Sequence, residues 1–266
     1  MIRVPAVPAL RALADLLVPS RCAGCQRDGP ALCARCSALL GPPRRIRLAG
    51  ELPPVFALGR YHGPLRSVLL AYKERGRREL AGPLGAAVAG GMRGLAGSAC
   101  GGSACGGSAG GAPGRGGGVW LVPVPSRPAA ARRRGGDHVL RLAERAAEVL
   151  AAGGTTVAVA PGLRLARGAR DSVGLDAAAR AANLAGRMLP RPAGLPPPAT
   201  AAVLLDDVAT TGATAAACTA ALAAAGVEVA AVLVLASAAM LARSGVLRDQ
   251  PVTLRGGCRP WGSLRA

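Results

Sequence analysis

The sequence contains few aromatic residues and almost no lysine. Among its 266 residues there are two Trp, two Tyr and one Phe, and Lys73 is the only lysine among 33 basic residues. A core without large aromatic side chains must be built mainly from Ala, Val and Leu, whose burial stabilises a protein less per residue. With 51% hydrophobic and 18% charged residues, we expect a globular protein of modest stability rather than a disordered chain.

Acidic residues are also scarce, with 14 against 33 basic ones, which gives a net charge of +19. Such a surface favours anionic partners such as phosphates or nucleic acid. Ala, Gly and Pro are inflated as well, which indicates a biased base composition that replaces Lys by Arg, so the charge alone identifies no partner. Because this bias favours Arg at basic positions, the presence of Lys at position 73 makes Lys73 a candidate functional residue. The alternative is that Lys73 is a lysine retained by chance on a solvated helix.

Two familiar nucleotide-binding patterns are missing. The chain has no G-x-x-x-x-G-K-[ST] sequence and no strand followed by G-x-G-x-x-G. Its only histidines are His62 and His138, and we read no Ser/His/Asp or Cys/His set that would support hydrolysis. We expect His138 to begin a helix.

No segment reads as a signal peptide or a membrane span. Prolines and charged residues interrupt the short apolar stretch of residues 1–22. The apolar segment 215–241 is mostly Ala and contains Gly226 and Glu228, which favours a helix, a turn and a strand. We therefore expect a cytoplasmic protein that is not an integral membrane protein.

Four of the eight cysteines form a compact motif, "CAGCQRDGPALCARC". Cys22, Cys25, Cys33 and Cys36 follow a C-x2-C-x7-C-x2-C spacing. Each C-x2-C turn offers two thiolates to one tetrahedral ion, so the motif predicts structural Zn²⁺. Two disulfides in a secreted protein, or a site that has lost its metal, are the alternatives.

The chain divides into a small module and a larger domain. Residues 1–48 contain the N-terminal segment and the four-cysteine module, and residues 49–266 form the main domain. Within it, residues 94–118 are Gly-rich and read as a flexible insert. Before the insert, residues 64–80 show a continuous helical pattern.

After the insert, apolar strands alternate with helices. We predict strands at residues 119–125, 155–161, 201–207 and 227–236, and helices at residues 138–151, 176–189 and 213–225. This alternation indicates an α/β fold with a parallel sheet covered by helices on both faces. In such doubly wound sheets, ligands bind beyond the C-terminal ends of the strands.

The stretch "AAVLLDDVATTGAT" places two acids at such a strand end. Asp206 and Asp207 are followed by a small polar turn that leads into the next helix. Backbone N–H groups, Thr hydroxyls and the helix N-terminus can bind a phosphate there without a lysine. Two carboxylates beside that phosphate would suit the hydroxyls of a ribose or a hydrated Mg²⁺. An ordinary strand end with two solvated acids is the alternative.

The segment "VLLDDVATTGAT" closely resembles the phosphoribosyl-diphosphate (PRPP) binding motif of type I phosphoribosyltransferases. The resemblance implies that Asp206 and Asp207 hold the ribose 2- and 3-hydroxyls, directly or through Mg²⁺. It implies a 5-phosphate site formed by Ala209, Thr210, Thr211, Gly212, Ala213 and Thr214.

The whole arrangement resembles the ComF family of competence-related, phosphoribosyltransferase-like proteins. The resemblance rests on the four-cysteine module, "AYKERGRREL", "LVPVPSRPAAARRRGGDHVLRLA" and "RDSVGLDAAARAANLAGRM" ahead of the acidic motif. The chain departs from the family at residues 134–138, "RGGDH", where "RGFNQ" is common, and at Ser172, which aligns with a Gln. The likeness implies a pyrophosphate loop at "PVPSR", with Ser126 and Arg127 nearest the site. It also implies cationic cover from residues 132–134, including Arg134, and a pyrophosphate contact from Lys73.

Two functions remain open at this stage. One is a phosphoribosyltransferase, a glycosyltransferase that uses PRPP and Mg²⁺ on an unidentified acceptor. The other is a non-catalytic DNA-uptake factor that binds single-stranded DNA and works with the uptake machinery. Residues 60–78 favour the second, because they carry six basic residues, one acid, and two tyrosines, Tyr61 and Tyr72, that could stack on bases.

Overall fold

The computed structural model describes residues 20–99, 119–166, 186–197 and 200–239. The described strands are β1 (Arg44–Ile46), β2 (Val55–Arg60), β3 (Val119–Pro123), β4 (Val157–Val159), β5 (Leu163–Leu165), β6 (Met188–Pro190), β7 (Ala201–Ala209) and β8 (Glu228–Ser237). The described helices are α1 (Ala34–Ser37), α2 (Gly63–Glu74), α3 (Ala81–Ala99), α4 (Pro128–Arg134), α5 (His138–Ala152) and α6 (Ala213–Ala223), with 3-10 turns at Arg78–Leu80 and Pro192–Gly194.

Six strands form one mostly parallel sheet in the order β1-β2-β8-β7-β3-β4. All neighbouring pairs are parallel except β1, which runs antiparallel to β2 at the edge. The central position of β7 and β8 explains why their sequences are nearly continuous apolar runs, because a central parallel strand is covered on both faces. The structure thus has the mixed α/β architecture expected from the alternation of strands and helices.

Alternate residues of the strands enter two separate cores. Leu205 of β7 packs in the core that also contains buried residues of α2, α3 and α5. Leu204, one residue earlier, packs on the opposite face with α6 and the separate two-stranded sheet of β5 and β6. Helices therefore lie on both faces of the sheet, and consecutive β7 side chains point to opposite faces.

The segment between the cysteine module and the insert differs from the prediction of one continuous helix over residues 64–80. Helix α2 ends at Glu74, Gly76 has φ +68, and a 3-10 turn precedes α3. Helix α3 then continues to Ala99, so the prediction of a flexible insert is wrong for residues 94–99. The physical reason is tertiary packing: apolar side chains of α3 at helical spacing are buried against the sheet, namely Leu84, Val88, Met92 and Leu95. The remaining residues of the expected insert, 100–118, lie outside the described residues.

The helix predicted for residues 176–189 is only partly within the described residues, because 167–185 lie outside them. At its expected end the prediction is wrong, since Met188–Pro190 is a strand that pairs with Leu163–Leu165. Backbone pairing with β5 overrides the helical pattern there. None of the described helices combines the length and the apolar character needed to cross a bilayer.

Candidate functional site

An open cleft of about 1310 Å³ lies beyond the ends of β3 and β7. It is lined by the acidic pair, the turn after β7, the loop after β3, and the end of α2. The predicted site residues that line it are Lys73, Ser126, Arg127, Arg134, Asp206, Asp207, Ala209, Thr210, Thr211, Gly212, Ala213 and Thr214. The cleft thus occupies the edge of the sheet where ligands bind in this class of fold.

The turn after β7 is built as a helix N-terminus with a glycine at its cap. Gly212 has φ +91, and a Cβ there would lie 2.9 Å from Leu52 Cδ1. The left-handed conformation favours glycine at this position. Thr211 Oγ1 accepts a hydrogen bond from the N–H of Ala213 at 3.4 Å, and α6 follows with eleven residues. The turn therefore offers first-turn N–H groups and Thr hydroxyls to an anion.

Asp207 is the buried member of the acidic pair. Its Oδ2 accepts from Lys73 Nζ and from His138 Nε2, each at 2.9 Å, and its Oδ1 accepts from the N–H of Val208 at 2.8 Å. Burial alone would raise the pKa of Asp207, but the Lys73 ammonium and His138 outweigh it, so the pKa lies well below its usual range. A carboxylate has about four acceptor sites, so three of those of Asp207 are already used inside the protein.

Asp206 lies on the other face of β7 and is partly exposed in the cleft. Its Oδ1 accepts from the N–H of Asp207 at 2.8 Å. Burial and the negative charge of Asp207 together raise the pKa of Asp206 well above its usual value, even though Lys73 opposes this shift. Asp206 is therefore the carboxylate with free acceptor capacity toward a ligand, whereas Asp207 organises the protein around it.

Lys73 reaches the site from the last turn of α2. Its side chain is 36% exposed, so the ammonium lies at the boundary between the buried Asp207 and the cleft. Burial lowers its pKa, but the carboxylates of Asp207 and Asp206 raise it by more, so the lysine stays charged. Lys73 thus contacts Asp207 at the cleft and does not lie on a fully solvated helix face, while its role in binding a ligand stays a prediction.

Ser126 faces inward rather than into open solvent. Its N–H and its hydroxyl bond the two carboxylate oxygens of Asp137 at 2.6 and 3.0 Å. Its Oγ also lies 2.9 Å from His138 Nδ1. Asp137 caps α5 by accepting from the N–H groups of Val139 and Leu140, as expected at a helix N-cap. The expectation that His138 begins a helix is confirmed.

The cationic residues near the loop are arranged on and around the short helix α4. Arg127 precedes this helix, and residues 132–134 form its last turn. Arg134 bonds both carboxylate oxygens of Glu74 at 3.0 and 3.1 Å, and its carbonyl accepts from Arg78. Its side chain is only 15% exposed, so Arg134 would have to leave Glu74 before it could contact a pyrophosphate.

The basic segment of residues 60–78 is less available for nucleic acid than its sequence indicated. Tyr72 is 4% exposed and donates its hydroxyl to the carbonyl of His138, so the prediction that it could stack on bases is wrong. Arg77 binds the carbonyl of Arg21 and the carboxylate of Glu79. Tyr61 is half-buried, with the guanidinium of Arg66 5.9 Å from its ring centre.

The four cysteines of the N-terminal module meet at one point. All four Sγ atoms lie within 4.8 Å of one another, and Cys25 Sγ is 3.7 Å from Cys33 Sγ. That separation is far longer than a disulfide bond and close to the edge of about 3.8 Å of a tetrahedron with Zn–S bonds of about 2.3 Å. The thiols are free, which contradicts the disulfide alternative, and the four sulfurs can hold a metal ion such as zinc.

The pKa values of Cys22 and Cys36 are shifted in opposite directions. For Cys22, burial raises the pKa, but N–H groups of Cys33, Cys25 and Gly24 outweigh it and lower the pKa to about 6. For Cys36, burial and the other cysteines raise the pKa to about 12. Without a cation Cys36 therefore keeps its proton, and all four sulfurs can be thiolates only with a positive ion among them. The module packs closely on the main domain, since a Cβ on Gly24 would lie 3.2 Å from the carbonyl oxygen of Pro64.

Sequence reasoning missed Asp137 and His138 as members of the site. The structure brings Ser126, His138 and Asp207 together through hydrogen bonds, although we had read no such set from the sequence. The signal that could have found them is the acid followed by histidine at a predicted helix start, at the position where the chain departs from the ComF pattern.

A scan of the chain against protein-family models finds no match, and a search of curated proteins finds none either.

Proposed function

We propose that this protein binds the 5-phosphoribosyl group of PRPP together with Mg²⁺, as a ComF-type phosphoribosyltransferase-like protein. One observation carries the proposal. The same cleft is lined by Asp206, which has open acceptor sites, by the N-terminus of α6 with Gly212 at its cap, and by the Ser126 loop. Sugar hydroxyls donate hydrogen bonds to carboxylates, and a 5-phosphate accepts hydrogen bonds from N–H groups. A ribose 5-phosphate requires both groups at adjacent positions.

Each part of the ligand has a named partner under this proposal. The 5-phosphate binds the turn of residues 209–214, and Asp206 accepts from the ribose hydroxyls. The diphosphate lies between Lys73, the Ser126 loop and the arginines of α4. Mg²⁺ fits this donor set because it keeps waters and substrate phosphate oxygens and needs few protein carboxylates.

The chemistry that follows is transfer of the phosphoribosyl group to an acceptor. As the bond from the anomeric carbon to the diphosphate breaks, positive charge develops on the sugar and negative charge on the leaving group. Lys73 and the N–H groups at the diphosphate stabilise that separation, and Arg134 contributes once it has left Glu74. Bound Mg²⁺ would add charge stabilisation at the leaving diphosphate.

Calorimetric titration with PRPP and Mg²⁺ tests the proposal. We expect binding by the wild type, at least tenfold weaker binding by Asp206→Asn, and none by the double variant Asp206→Asn/Asp207→Asn. Glu148→Gln is the matched control, because it also removes one carboxylate charge, from an exposed pair with Arg145 that does not line the cleft. Normal binding by the double variant would contradict the proposal.

The second candidate function is binding of single-stranded DNA by a DNA-uptake factor. Arg75 and Arg133 favour it, because they line a small cleft beside the main one with Arg78 and Arg134. The two glutamates in the same cleft and the burial of Tyr72 count against it. Binding that weakens steeply with salt and is reduced by Arg75→Ala would support a phosphate-tracking surface. Absence of binding at low salt would remove this candidate.

For the cysteine module we propose structural Zn²⁺. An all-thiolate shell leaves no open position for a substrate, so the metal would serve folding rather than chemistry.

A further inference from the structure

The loop after β3 has little regular structure to hold it in place. Residues 124–127 belong to no helix or strand. The N–H of Val124 donates to the carbonyl of Leu205, which anchors the start of the loop to β7. Further along the loop, Ser126 is held by the side chains of Asp137 and His138 at the start of α5.

His138 differs from Asp137 because its ring also reaches the acidic strand. Its Nδ1 lies 2.9 Å from Ser126 Oγ, and its Nε2 lies 2.9 Å from Asp207 Oδ2. Since the Asp207 carboxylate only accepts, Nε2 must carry the proton of that bond. Asp207 Oδ2 also accepts from Lys73, so one oxygen connects the histidine bridge to the lysine in the cleft.

The ring is fixed from other sides as well. His138 is 4% exposed, and Tyr72 packs against it edge to face with ring centres 6.0 Å apart. The hydroxyl of Tyr72 donates to the carbonyl of His138 at 2.7 Å. A ring held in this way has one orientation, so it transmits the position of β7 to the loop rather than following the loop.

We propose that His138 is a positioning residue that fixes the Ser126 loop relative to Asp207 and Lys73, and so pre-organises the diphosphate half of the cleft. The proposal rests on the proposed function in one respect, that the ligand carries a diphosphate on the Ser126 side. It assigns no contact between His138 and the ligand. The 5-phosphate half of the cleft lies at a different element, the turn before α6 with Gly212 at its N-cap.

The test separates the two halves by using inorganic pyrophosphate with Mg²⁺ and ribose 5-phosphate as individual probes. We expect His138→Ala to weaken pyrophosphate binding about tenfold, the loss typical of one charge-assisted hydrogen bond, and to leave ribose 5-phosphate within twofold. His138→Gln keeps a donor toward Asp207 and a second polar atom toward Ser126 at a similar spacing, so it should recover most of the affinity. Equal losses for both probes, or no rescue by Gln, would overturn the proposal.

A second measurement needs no ligand, so it also decides if the phosphoribosyl proposal itself fails. The chain has two histidines, and the exposed His62 is an internal reference for ring ¹⁵N spectra. We expect His138 Nε2 to carry a proton, and Ser126→Ala to shift the His138 Nδ1 resonance while leaving those of His62 in place. An Nδ1–H tautomer, or unchanged His138 signals in Ser126→Ala, would overturn the bridge. Absence of PRPP binding by the wild type with the expected spectra would instead contradict the proposed function alone.

Discussion

The two acids of the motif should have opposite effects on stability, because their surroundings differ. In Asp207→Asn, one carboxylate oxygen becomes an NH₂ group, and each oxygen currently faces a donor: Val208 N–H at Oδ1, and Lys73 and His138 at Oδ2. The amide therefore always points a donor at a donor. Breaking a buried ion pair costs about 3–5 kcal/mol, and we take about 3 kcal/mol because Lys73 is 36% exposed and can turn to water.

Asp206→Asn should be neutral or stabilising. Burial and the charge of Asp207 raise the pKa of Asp206, so its ionised form is disfavoured in the folded state. The Asn carbonyl can still accept from the N–H of Asp207, as Oδ1 does at 2.8 Å. Removing a carboxylate whose ionised form is disfavoured should gain up to about 2 kcal/mol, together with PRPP binding at least tenfold weaker.

Thermal and urea unfolding at several pH values provide the assay. With about 2–4 °C per kcal/mol for a domain of this size, Asp207→Asn should lower Tm by about 6–12 °C. The folded pKa of Asp207 is depressed, so its contribution is present above the unfolded pKa of about 4 and is lost only as pH falls below that value. The folded pKa of Asp206 is raised, so its destabilising effect begins as pH rises above about 4.

The difference between wild type and Asp206→Asn should therefore widen as pH rises above about 4, whereas the difference for Asp207→Asn should stay constant above about 4 and shrink at lower pH, with opposite signs for the two positions. Equal destabilisation by both substitutions would refute the assignment of different roles. So would an Asp207→Asn variant with the Tm of the wild type.

Further predictions concern glycines and the metal. Gly85→Ala in α3 should lower the free energy of unfolding, because a Cβ would lie 2.5 Å from Arg145 Cβ and 3.0 Å from its backbone carbon. Gly90→Ala in the same helix meets nothing within 4 Å, so it should raise the free energy of unfolding by about 1 kcal/mol, as measured by urea unfolding. Gly212→Ala should cost about 1–3 kcal/mol and weaken ribose 5-phosphate binding in calorimetry, since φ is +91; unchanged stability would contradict the cap geometry. Elemental analysis should find about one zinc per wild-type chain and almost none in Cys22→Ser, with a lower Tm; a metal-free wild type of equal stability would contradict the zinc proposal.

The elements that could be predicted from sequence are those with strong local patterns. The strand "AAVLLDD" is apolar on both faces and ends in acids, so its position in a parallel sheet and the position of the site both followed from pattern. The four cysteines are equally local, since two C-x2-C turns separated by seven residues leave few other geometries. In both cases neighbours in sequence are also neighbours in space.

The parts that failed depend on contacts between distant residues. The Gly-rich sequence at residues 94–99 has a poor intrinsic helix propensity, but α3 extends through it from a half that packs on the sheet. His138 and Asp207 are 69 residues apart, and nothing local in either segment indicates that one accepts from the other. Tyr72 lies in a basic segment that reads as exposed, yet its hydroxyl is used by α5.

Lys73 is the single lysine of the sequence, and it also contacts the buried acid of the candidate site. In a chain where nearly every basic residue is Arg, this position shares a single oxygen, Asp207 Oδ2, with the ring of His138, both at 2.9 Å. An ammonium is a compact charge that can donate to that oxygen beside the histidine, whereas a planar guanidinium presents a wide fork that suits two acceptor oxygens. Asp207 Oδ1 already accepts from Val208, so a fork would meet only one open acceptor site on that second oxygen. A compact ammonium therefore fits the shared oxygen better than a guanidinium does, which gives a physical reason for a lysine at this position.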